Sequence, residues 1–266
     1  MTAPAVVGLP APAVAAVALP LQAGLGNLLV LSSPFLFGVY KGLDEYRVSR
    51  LVRDTATETV QAAAVGRTEL SGTAEPDDTV FHRPFTDGEC LYARYSVKEE
   101  SNSDDGSEWV SVAGNVWVAP FELDDGTGRI RVEPTLQTKF ELSDEHTTEI
   151  LVGEGEDPPP QIREFIEGVP EVEPDPDKRK YVETVLPPGE SVYVLGGAEE
   201  RDDASGANAE RLVVRRDEGS DRFLVSDMPQ KKLASTLTRR APTLVLVGLL
   251  VSAGCLYGLL RAFGVG

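Results

Sequence analysis

Hydrophobic and polar residues divide the chain into two apolar ends and a polar middle. No charged side chain occurs in residues 1–40, and Arg261 is the only one after residue 241. Two stretches, about 21–40 and 242–260, come close to the ~20 apolar residues that a helix needs to cross a bilayer. Five prolines interrupt the first 40 residues, so a continuous helix over that whole leader is not expected. We therefore predict two transmembrane helices, with the leader either crossing the membrane once or folding as a hairpin.

The middle of the chain alternates apolar and polar side chains, which is the pattern of half-buried β-strands. Helical patterns flank it at 41–62 and 228–241, next to the apolar ends. A further short helix is predicted from Pro159 or Pro160 to Gly168, because proline starts helices and glycine ends them. The pattern predicts a mainly β (α+β) fold, a compact β-rich soluble domain over 63–227 with short helices, between the two transmembrane helices. The predicted strands are 64–76, 90–98, 108–123, 147–152, 181–186, 191–196, 211–215 and 222–225.

Two hairpins are predicted within this domain. The first joins 90–98 to 108–123 through an acidic polar tip, and the second lies in 120–134, PFELDDGTGRIRVEP. Asp125-Gly126 and Gly128 provide residues that adopt the positive φ angles of a tight turn. The same acidic cluster lacks the spaced oxygen ligands and final glutamate of an EF-hand. A solvated turn is therefore favoured over a calcium loop.

The charge of the chain limits the classes of partner it can bind and indicates how much salt its surroundings contain. The formal net charge is −18, from 43 acidic and 25 basic residues, of which only 7 are lysine. This balance argues against a nucleic-acid partner, because phosphate binding needs clustered Lys and Arg. A large net charge destabilises a compact state by self-repulsion unless salt screens it. We therefore expect a halophile, haloarchaeal or similar, with an acidic proteome; the alternative is an ordinary acidic protein, which usually keeps more lysine.

Motifs of catalysis are scarce in this sequence. It contains no nucleophile elbow, Walker loop, zinc-protease motif or dinucleotide-binding motif. His82 and His146 are expected to be surface histidines, and Cys90 a buried thiol at the start of a strand. Two cysteines and two histidines are too few for a Cys/His zinc cluster. We therefore predict no catalytic, cofactor-binding or metal-binding residues, and no cofactor.

The order of these features resembles the GIDE, or beside-a-membrane (BAM), domain of membrane-anchored RING-type ubiquitin ligases. Both share the plan of span, β-rich module and span. The resemblance covers about 51–260 and is clearest in 51–72, 82–95, 120–134 and 186–200. Within 120–134 the chain meets the family pattern P-F-x-L-x-D-x-x-G-x-x-x-V-x-P. The residues that carry the resemblance are Gly66, Gly72, Pro120, Phe121, Leu123, Asp125, Gly128, Pro134, Pro188, Gly189 and Gly196.

The resemblance implies that these residues serve the fold, as turns, strand ends and core anchors. In the ligases, the activity belongs to a RING finger after the second span, a zinc-binding domain built from Cys and His. With two cysteines and two histidines, the chain is expected to be the membrane module of the family without the RING. The resemblance alone therefore does not make it a ubiquitin transferase.

We predict a non-catalytic interaction or scaffold protein in the cell membrane. Its partners are the lipid bilayer and other membrane proteins, and no nucleic acid. Two alternatives remain: a component of a ubiquitin-like protein transferase whose zinc domain is on another chain, and a membrane-coupled sensor. Eight basic residues flank the spans on the domain side, and only Arg261 lies beyond them. The positive-inside rule therefore predicts a cytoplasmic domain with both termini outside.

Overall fold

The computed structural model describes residues 26–54, 57–103, 106–170, 172, 178–201, 211–217 and 222–262. They form two compact units. The β-rich unit lies within Thr57–Met228, and the helical unit consists of two long helices, one before it and one after it in the sequence. The proline-rich leader and the start of the predicted first span, 21–25, lie outside the described residues.

Strands dominate the β-rich unit, which confirms the predicted fold class of a compact β-rich domain with short helices. The described helices are α1 (Gly26–Asp54), α2 (Pro160–Glu167) and α3 (Gln230–Ala262). Short 3-10 turns occur at Val60–Ala62 and Asp144–His146. The described strands are β1 (Gly66–Pro76), β2 (Phe81–His82), β3 (Glu89–Cys90), β4 (Tyr92–Ser103), β5 (Gly106–Val118), β6 (Phe121–Asp124), β7 (Arg129–Val132), β8 (Lys139–Glu141), β9 (Thr147–Val152), β10 (Arg179–Leu186), β11 (Glu190–Glu200), β12 (Leu212–Arg215) and β13 (Leu224–Ser226).

Five strands of the β-rich unit close into a barrel. β1 pairs with β6 on one edge and with β11 on the other, while β12 connects β11 to β7. Counted along the chain, the barrel strands follow the order 1-2-3-5-4 and return to 1. The pairing that closes the ring, β7 with β12, is parallel, and the other four pairings are antiparallel. This topology is that of the OB-fold, a five-stranded Greek-key barrel.

Apolar side chains of alternating strand positions form the barrel core. Phe121 and Leu123 of β6 are buried, as are Ile130 and Val132 of β7, and the residues between them are more exposed. Burying one such side chain contributes about 1.5–3 kcal/mol. A shift of register by one residue would turn this whole set towards water. The period-two pattern read from the sequence therefore determines which face of each strand points inward.

A second, antiparallel sheet has the strand order β5-β4-β10-β9. Its strands belong to two insertions between barrel strands, one after β1 and one after β7. Helix α2 packs on one face of this sheet, with Ile162 buried. The Phe165 ring lies 5.0 Å from that of Tyr95 and 5.3 Å from that of Phe85, both in edge-to-face contact. The helix predicted to end at Gly168 therefore covers a second hydrophobic core, separate from that of the barrel.

The single long strand predicted over 108–123 is divided in the structure. β5 ends at Val118 in the four-stranded sheet, and β6 begins at Phe121 in the barrel. Pro120 stands between them, and proline has no N–H with which to continue a ladder. The apolar alternation runs through both strands, so hydrophobicity alone does not reveal the boundary.

The predicted helix 41–62 ends early. α1 stops at Asp54, and the Glu58 N–H donates to the Glu69 carbonyl of β1 at 2.9 Å. Val60–Ala62 then form a separate 3-10 turn. The prediction of helix up to residue 62 is wrong because the barrel engages this stretch of backbone.

Within the helical unit, α1 and α3 run antiparallel. The Gln230 side-chain amide donates to the Val52 carbonyl at 2.7 Å, and further along Gly38 meets α3. A Cβ on Gly38 would lie 2.7 Å from the Leu244 carbonyl oxygen, so glycine permits this close approach. Among the described residues, one segment, Lys232–Gly254 of α3, is long and apolar enough to cross a membrane.

Candidate functional site

The motif PFELDDGTGRIRVEP forms β6, a tight turn and β7, and the Asp125 carboxylate holds the turn. Its Oδ1 accepts hydrogen bonds from the Thr127 N–H (2.8 Å), the Thr127 hydroxyl (2.7 Å) and the Gly128 N–H (3.2 Å). Gly126 has the predicted positive φ, +80°, whereas Gly128 does not. The expectation for Gly128 was wrong because the carboxylate, and not a second left-handed residue, completes the reversal.

The other oxygen of Asp125 reaches outside the turn. Oδ2 accepts the Val60 N–H at 2.8 Å, which ties the segment before β1 to the β6–β7 turn. Partial burial alone would raise the pKa of this carboxyl. The hydrogen bonds from the Thr127 hydroxyl and the N–H groups of Val60, Thr127 and Gly128 outweigh burial and hold its pKa below the usual range. Both oxygens are thus engaged by N–H and O–H donors, so Asp125 stabilises the turn.

Two motif glycines lie where the backbone of another strand passes close by. A Cβ on Gly72 of β1 would be 2.6 Å from the Asp124 carbonyl oxygen. A Cβ on Gly196 of β11 would be 2.6 Å from the Arg215 carbonyl oxygen. Real side chains essentially never approach backbone so closely, so any larger residue forces the strands apart. Glycine is therefore required at both positions by the closure of the barrel.

The remaining motif glycines and prolines lie at strand ends. Gly66, at the start of β1, and Gly189, in the turn before β11, have φ angles of +122° and +81°. Glycine adopts such angles without strain. Pro188 precedes Gly189 in its turn, while Pro120 and Pro134 line a shallow cavity of about 590 Å³. Sequence reasoning placed all of these residues in the fold, as turns and strand ends.

Oppositely charged side chains form a chain of ion pairs beside this cavity. Arg131 pairs with Asp77 and Glu133. Arg215 lies 2.8 Å from Glu133 and 3.7 Å from Glu199. Burial alone would raise the pKa of Glu133, but hydrogen bonds from Arg215 and Arg131 hold it below the usual range. The charges on this face of the barrel are therefore largely matched to one another.

These motif residues fall mostly within a region that matches a protein family. The family described as GIDE, E3 ubiquitin ligase, matches residues 93–259, which is more than half of the chain. The chain belongs to the GIDE family. Comparison with the curated proteins and with the solved structures gave no match.

The GIDE match begins in β4 and continues through four of the five barrel strands into α3. It includes the whole of Lys232–Gly254, so the apolar segment is part of the family's own region. The GIDE domain is associated with the membrane modules of ubiquitin ligases. Family and helix therefore agree on membrane association. Gly66 and Gly72, which the sequence resemblance included, lie before the matched region.

A serine, an aspartate and a histidine of the GIDE domain meet without forming a catalytic triad. The Ser143 N–H donates to Asp227 Oδ1 at 2.9 Å, and the Ser143 hydroxyl donates to Oδ2. His146 Nε2 lies 3.3 Å from the same Oδ2. In a triad the histidine stands between the serine and the acid and takes the serine proton. Here the acid stands in the middle, so His146 is a structural partner of Asp227 and not the surface histidine expected from the sequence.

Glu183 of β10 is a second buried carboxylate with a structural task. Its oxygens accept the Phe85 N–H at 2.7 Å and the Thr86 hydroxyl. These bonds fix the loop that carries the Phe85 ring into the second core. No pattern in the sequence marks Glu183, because its partners lie about a hundred residues earlier in the chain.

Cys90 is buried, as expected from the sequence, but it ends the short strand β3, and the next strand, β4, begins at Tyr92. Its Sγ is 3.6 Å from the Phe81 carbonyl oxygen. Burial is the main cause that raises the pKa of the thiol to about 12, with Arg83 lowering it and Glu183 raising it to smaller extents. At neutral pH the group is a protonated thiol, and only the thiolate is a strong nucleophile.

We predict that Cys90 resists alkylation in the folded protein. In a Cys255→Ser variant, where Cys90 is the only thiol, maleimide labelling at pH 8 should be at least about a thousandfold slower than in urea. The reason is the small thiolate fraction of a buried group compared with a free thiol of pKa about 8.5. Mass spectrometry of timed samples gives the rate. Rapid native labelling would show that the thiol is reactive.

Proposed function

We propose that this GIDE protein is a membrane-anchored, non-catalytic interaction module that holds other membrane proteins together. The observation that supports this proposal most strongly is that the family match runs without a break from the OB barrel into α3. This helix contains the segment able to cross a membrane. A binding domain joined to an anchor is the architecture of a scaffold. The acidic and histidine side chains that first suggest chemistry, Asp125, Asp227, Glu183 and His146, are engaged in holding the fold.

Apolar side chains on the surface of the helical unit support the anchoring. Leu36 and Phe37 of α1 are 58% and 63% exposed. On α3, Leu246 and Leu250 are 56% and 60% exposed. Large apolar surfaces on paired helices are stable when lipid covers them. Tyr40, also exposed, is of a residue type enriched at the membrane interface. We infer that both helices cross the bilayer.

The surface of the barrel supports protein binding over nucleic-acid binding. In OB-folds that bind nucleic acid, the face of the second and third strands carries aromatic side chains on which bases stack. The corresponding strands here are β6 and β7. Their more exposed positions hold Glu122, Asp124, Arg129 and Arg131, all charged. Together with a net charge of −18, this face disfavours a polyanion.

The positive-inside rule supports an orientation with the β-rich unit in the cytoplasm and both termini outside. Lys41, Arg47, Arg50 and Arg53 follow the first predicted span. Four more basic residues lie within 231–240, before the second. Beyond the spans only Arg261 is basic.

A second candidate function is a component of a ubiquitin-like protein transferase, which the family description favours. A RING site needs more Cys and His ligands than the two of each in this chain. The chain would then serve as the membrane platform for a zinc domain on another protein. The two candidates differ in what accompanies the protein when it is purified.

Affinity purification of the full chain in mild detergent tests the proposal. The matched control is a Gly196→Val variant, which should unfold the barrel and leave α1 and α3 intact. We expect defined membrane proteins to co-purify in near-stoichiometric amount with the wild type and to be absent from the control. Transfer of a ubiquitin-like protein by the purified complex, given ATP and its activating and conjugating enzymes, would instead support the transferase component. If no protein co-purified with the wild type beyond those found with the control, both candidate functions would be contradicted.

A further inference from the structure

One edge of the four-stranded sheet is an exposed surface without an assigned role. β5 is the outer strand, and within the described residues β4 is the strand paired with it. β5 is 13 residues long, and Glu108 is its only charged side chain. A long, nearly uncharged edge strand presents backbone N–H and C=O groups to which another strand can bind.

Local features shield only one half of this edge. The Asn115 side chain accepts the Val116 N–H at 2.8 Å, which occupies that backbone donor within β5 itself. The pairing with β4 shifts register opposite Val97, where Val112 forms a bulge. From Ser107 to Ser111 the described side chains include no such device, and Val110 is 45% exposed. This first half of β5 is therefore the open part of the edge.

Lysines gather beside the open part of the edge, in a protein with a net charge of −18. The ammonium groups of Lys178 and Lys180 lie 5.7 Å and 4.7 Å from the centre of the Trp109 ring of β5. Lys98 of β4 stands directly across from Ser111. Three of the four lysines in the β-rich unit are thus in one place.

These lysines differ in whether a nearby acidic side chain already pairs with them. Lys178 lies 3.4 Å from Glu100, and Lys180 lies 2.8 Å from Glu149. Lys98 has no acidic partner among the described side chains. It is also cross-strand neighbour to Lys180, and like charges directly opposite are unfavourable. A carboxylate supplied from outside would relieve this repulsion.

We propose that β5 binds an extended acidic segment of a partner protein, which adds to the sheet as a further strand. Neighbouring strands lie about 4.8 Å apart, so a carboxylate of the added strand comes within reach of the Lys98 ammonium across the small Ser111. Backbone hydrogen bonds along the edge provide affinity, and the lysines select acidic side chains. This inference rests on the proposed scaffold function and names its partner class.

Other occupants fit these observations less well. An anionic lipid head group would meet the lysines without using the free backbone edge. A second copy of this chain, paired through β5, would bring a second lysine cluster next to the first. The acidic strand uses both features, the edge and the charge.

A fluorescently labelled peptide of alternating valine and aspartate tests the inference on the full chain in detergent. Fluorescence anisotropy gives its Kd. We expect Lys98→Gln to weaken binding about tenfold, the loss of one good charge-assisted contact. Lys139→Gln, which removes the remaining lysine of the β-rich unit, should change Kd by less than about twofold. The same peptide methylated at every backbone nitrogen has no N–H to donate on either side, so it cannot add to the edge and should lose binding.

Several other results would overturn the inference. Binding that survives methylation of every backbone nitrogen would mean simple charge attraction, and displacement of the peptide by phosphatidylglycerol vesicles would assign the surface to lipid. A dimer of the chain that the peptide dissociates would assign it to a second copy. Absence of peptide binding would also refute it. If native partners still co-purify with the Lys98→Gln variant, the scaffold function stands and this surface alone is wrong.

Discussion

Replacement of Asp125 by alanine should lower the free energy of unfolding of the β-rich unit by about 2–3 kcal/mol. The carboxylate accepts four hydrogen bonds, three in the β6–β7 turn and one from the Val60 N–H. Partial exposure to water keeps the expected loss at the lower end of what four charge-assisted bonds suggest. Urea unfolding followed by tryptophan fluorescence measures the difference. Asp78→Ala, at an exposed aspartate close to β1, should change stability by less than about 0.5 kcal/mol.

The same carboxylate should make stability depend on pH. Because its pKa is lower in the folded than in the unfolded state, its contribution is present above the unfolded pKa, about 3.9. The contribution is lost as pH falls through the lower pKa of the folded state. The stability difference between the wild type and Asp125→Asn should therefore be constant near neutral pH and shrink in acid. A difference that stays constant to pH 3 would mean that the charge of Asp125 is not what stabilises the turn.

Replacement of Gly196 by alanine should cost about 3 kcal/mol or more, which is enough to unfold a marginal domain. The added Cβ would lie 2.6 Å from the Arg215 carbonyl oxygen and 2.8 Å from Val214 Cγ1. Backbone of β12 cannot move aside without opening the pairing that closes the barrel. Circular dichroism melting of the purified protein reports the loss.

Gly168→Ala is the matched control for this substitution. At Gly168 the nearest atom to an added Cβ is 3.5 Å away, and φ is −88°, an angle that alanine adopts readily. We expect a change of less than about 1 kcal/mol there. If the two glycine variants melted alike, close strand approach at Gly196 would not explain why the motif has glycine.

Features encoded within a few residues could be predicted from the sequence. The β6–β7 hairpin follows from Asp125-Gly126 between two alternating apolar runs. Helix α2 follows from its starting proline and closing Gly168. The need for glycine at 196 followed only from the family resemblance, because the strand that approaches it lies elsewhere in the chain.

Features that depend on distant residues could not be predicted. Closure of the barrel requires β7 to meet β12, pairing Val132 with Val214, and no local signal encodes a parallel pairing across that separation. The bonds of Asp227 to Ser143 and His146 likewise join residues that the chain keeps far apart. For the same reason, the sequence shows that His146 lies in a polar stretch but does not show that it contacts the buried carboxylate of Asp227.

The motif residues and the proposed interaction surface occupy different parts of the molecule. Asp125, Gly72 and Gly196 secure the barrel, whereas β5 and the lysines beside it lie in the inserted sheet. The family match covers most of both parts, because it begins in β4 and leaves out only β1 of the barrel strands.

Proteolysis of membrane vesicles tests most directly whether the β-rich unit is anchored to the membrane and faces the cytoplasm. Washed inverted and right-side-out vesicles carrying the full chain are treated with protease, and fragments are identified by mass spectrometry. Residues 57–228 should be cut in inverted vesicles and remain intact in right-side-out vesicles until detergent is added. Absence of the chain from washed vesicles would contradict the anchor, and cleavage of this unit in right-side-out vesicles would contradict the orientation.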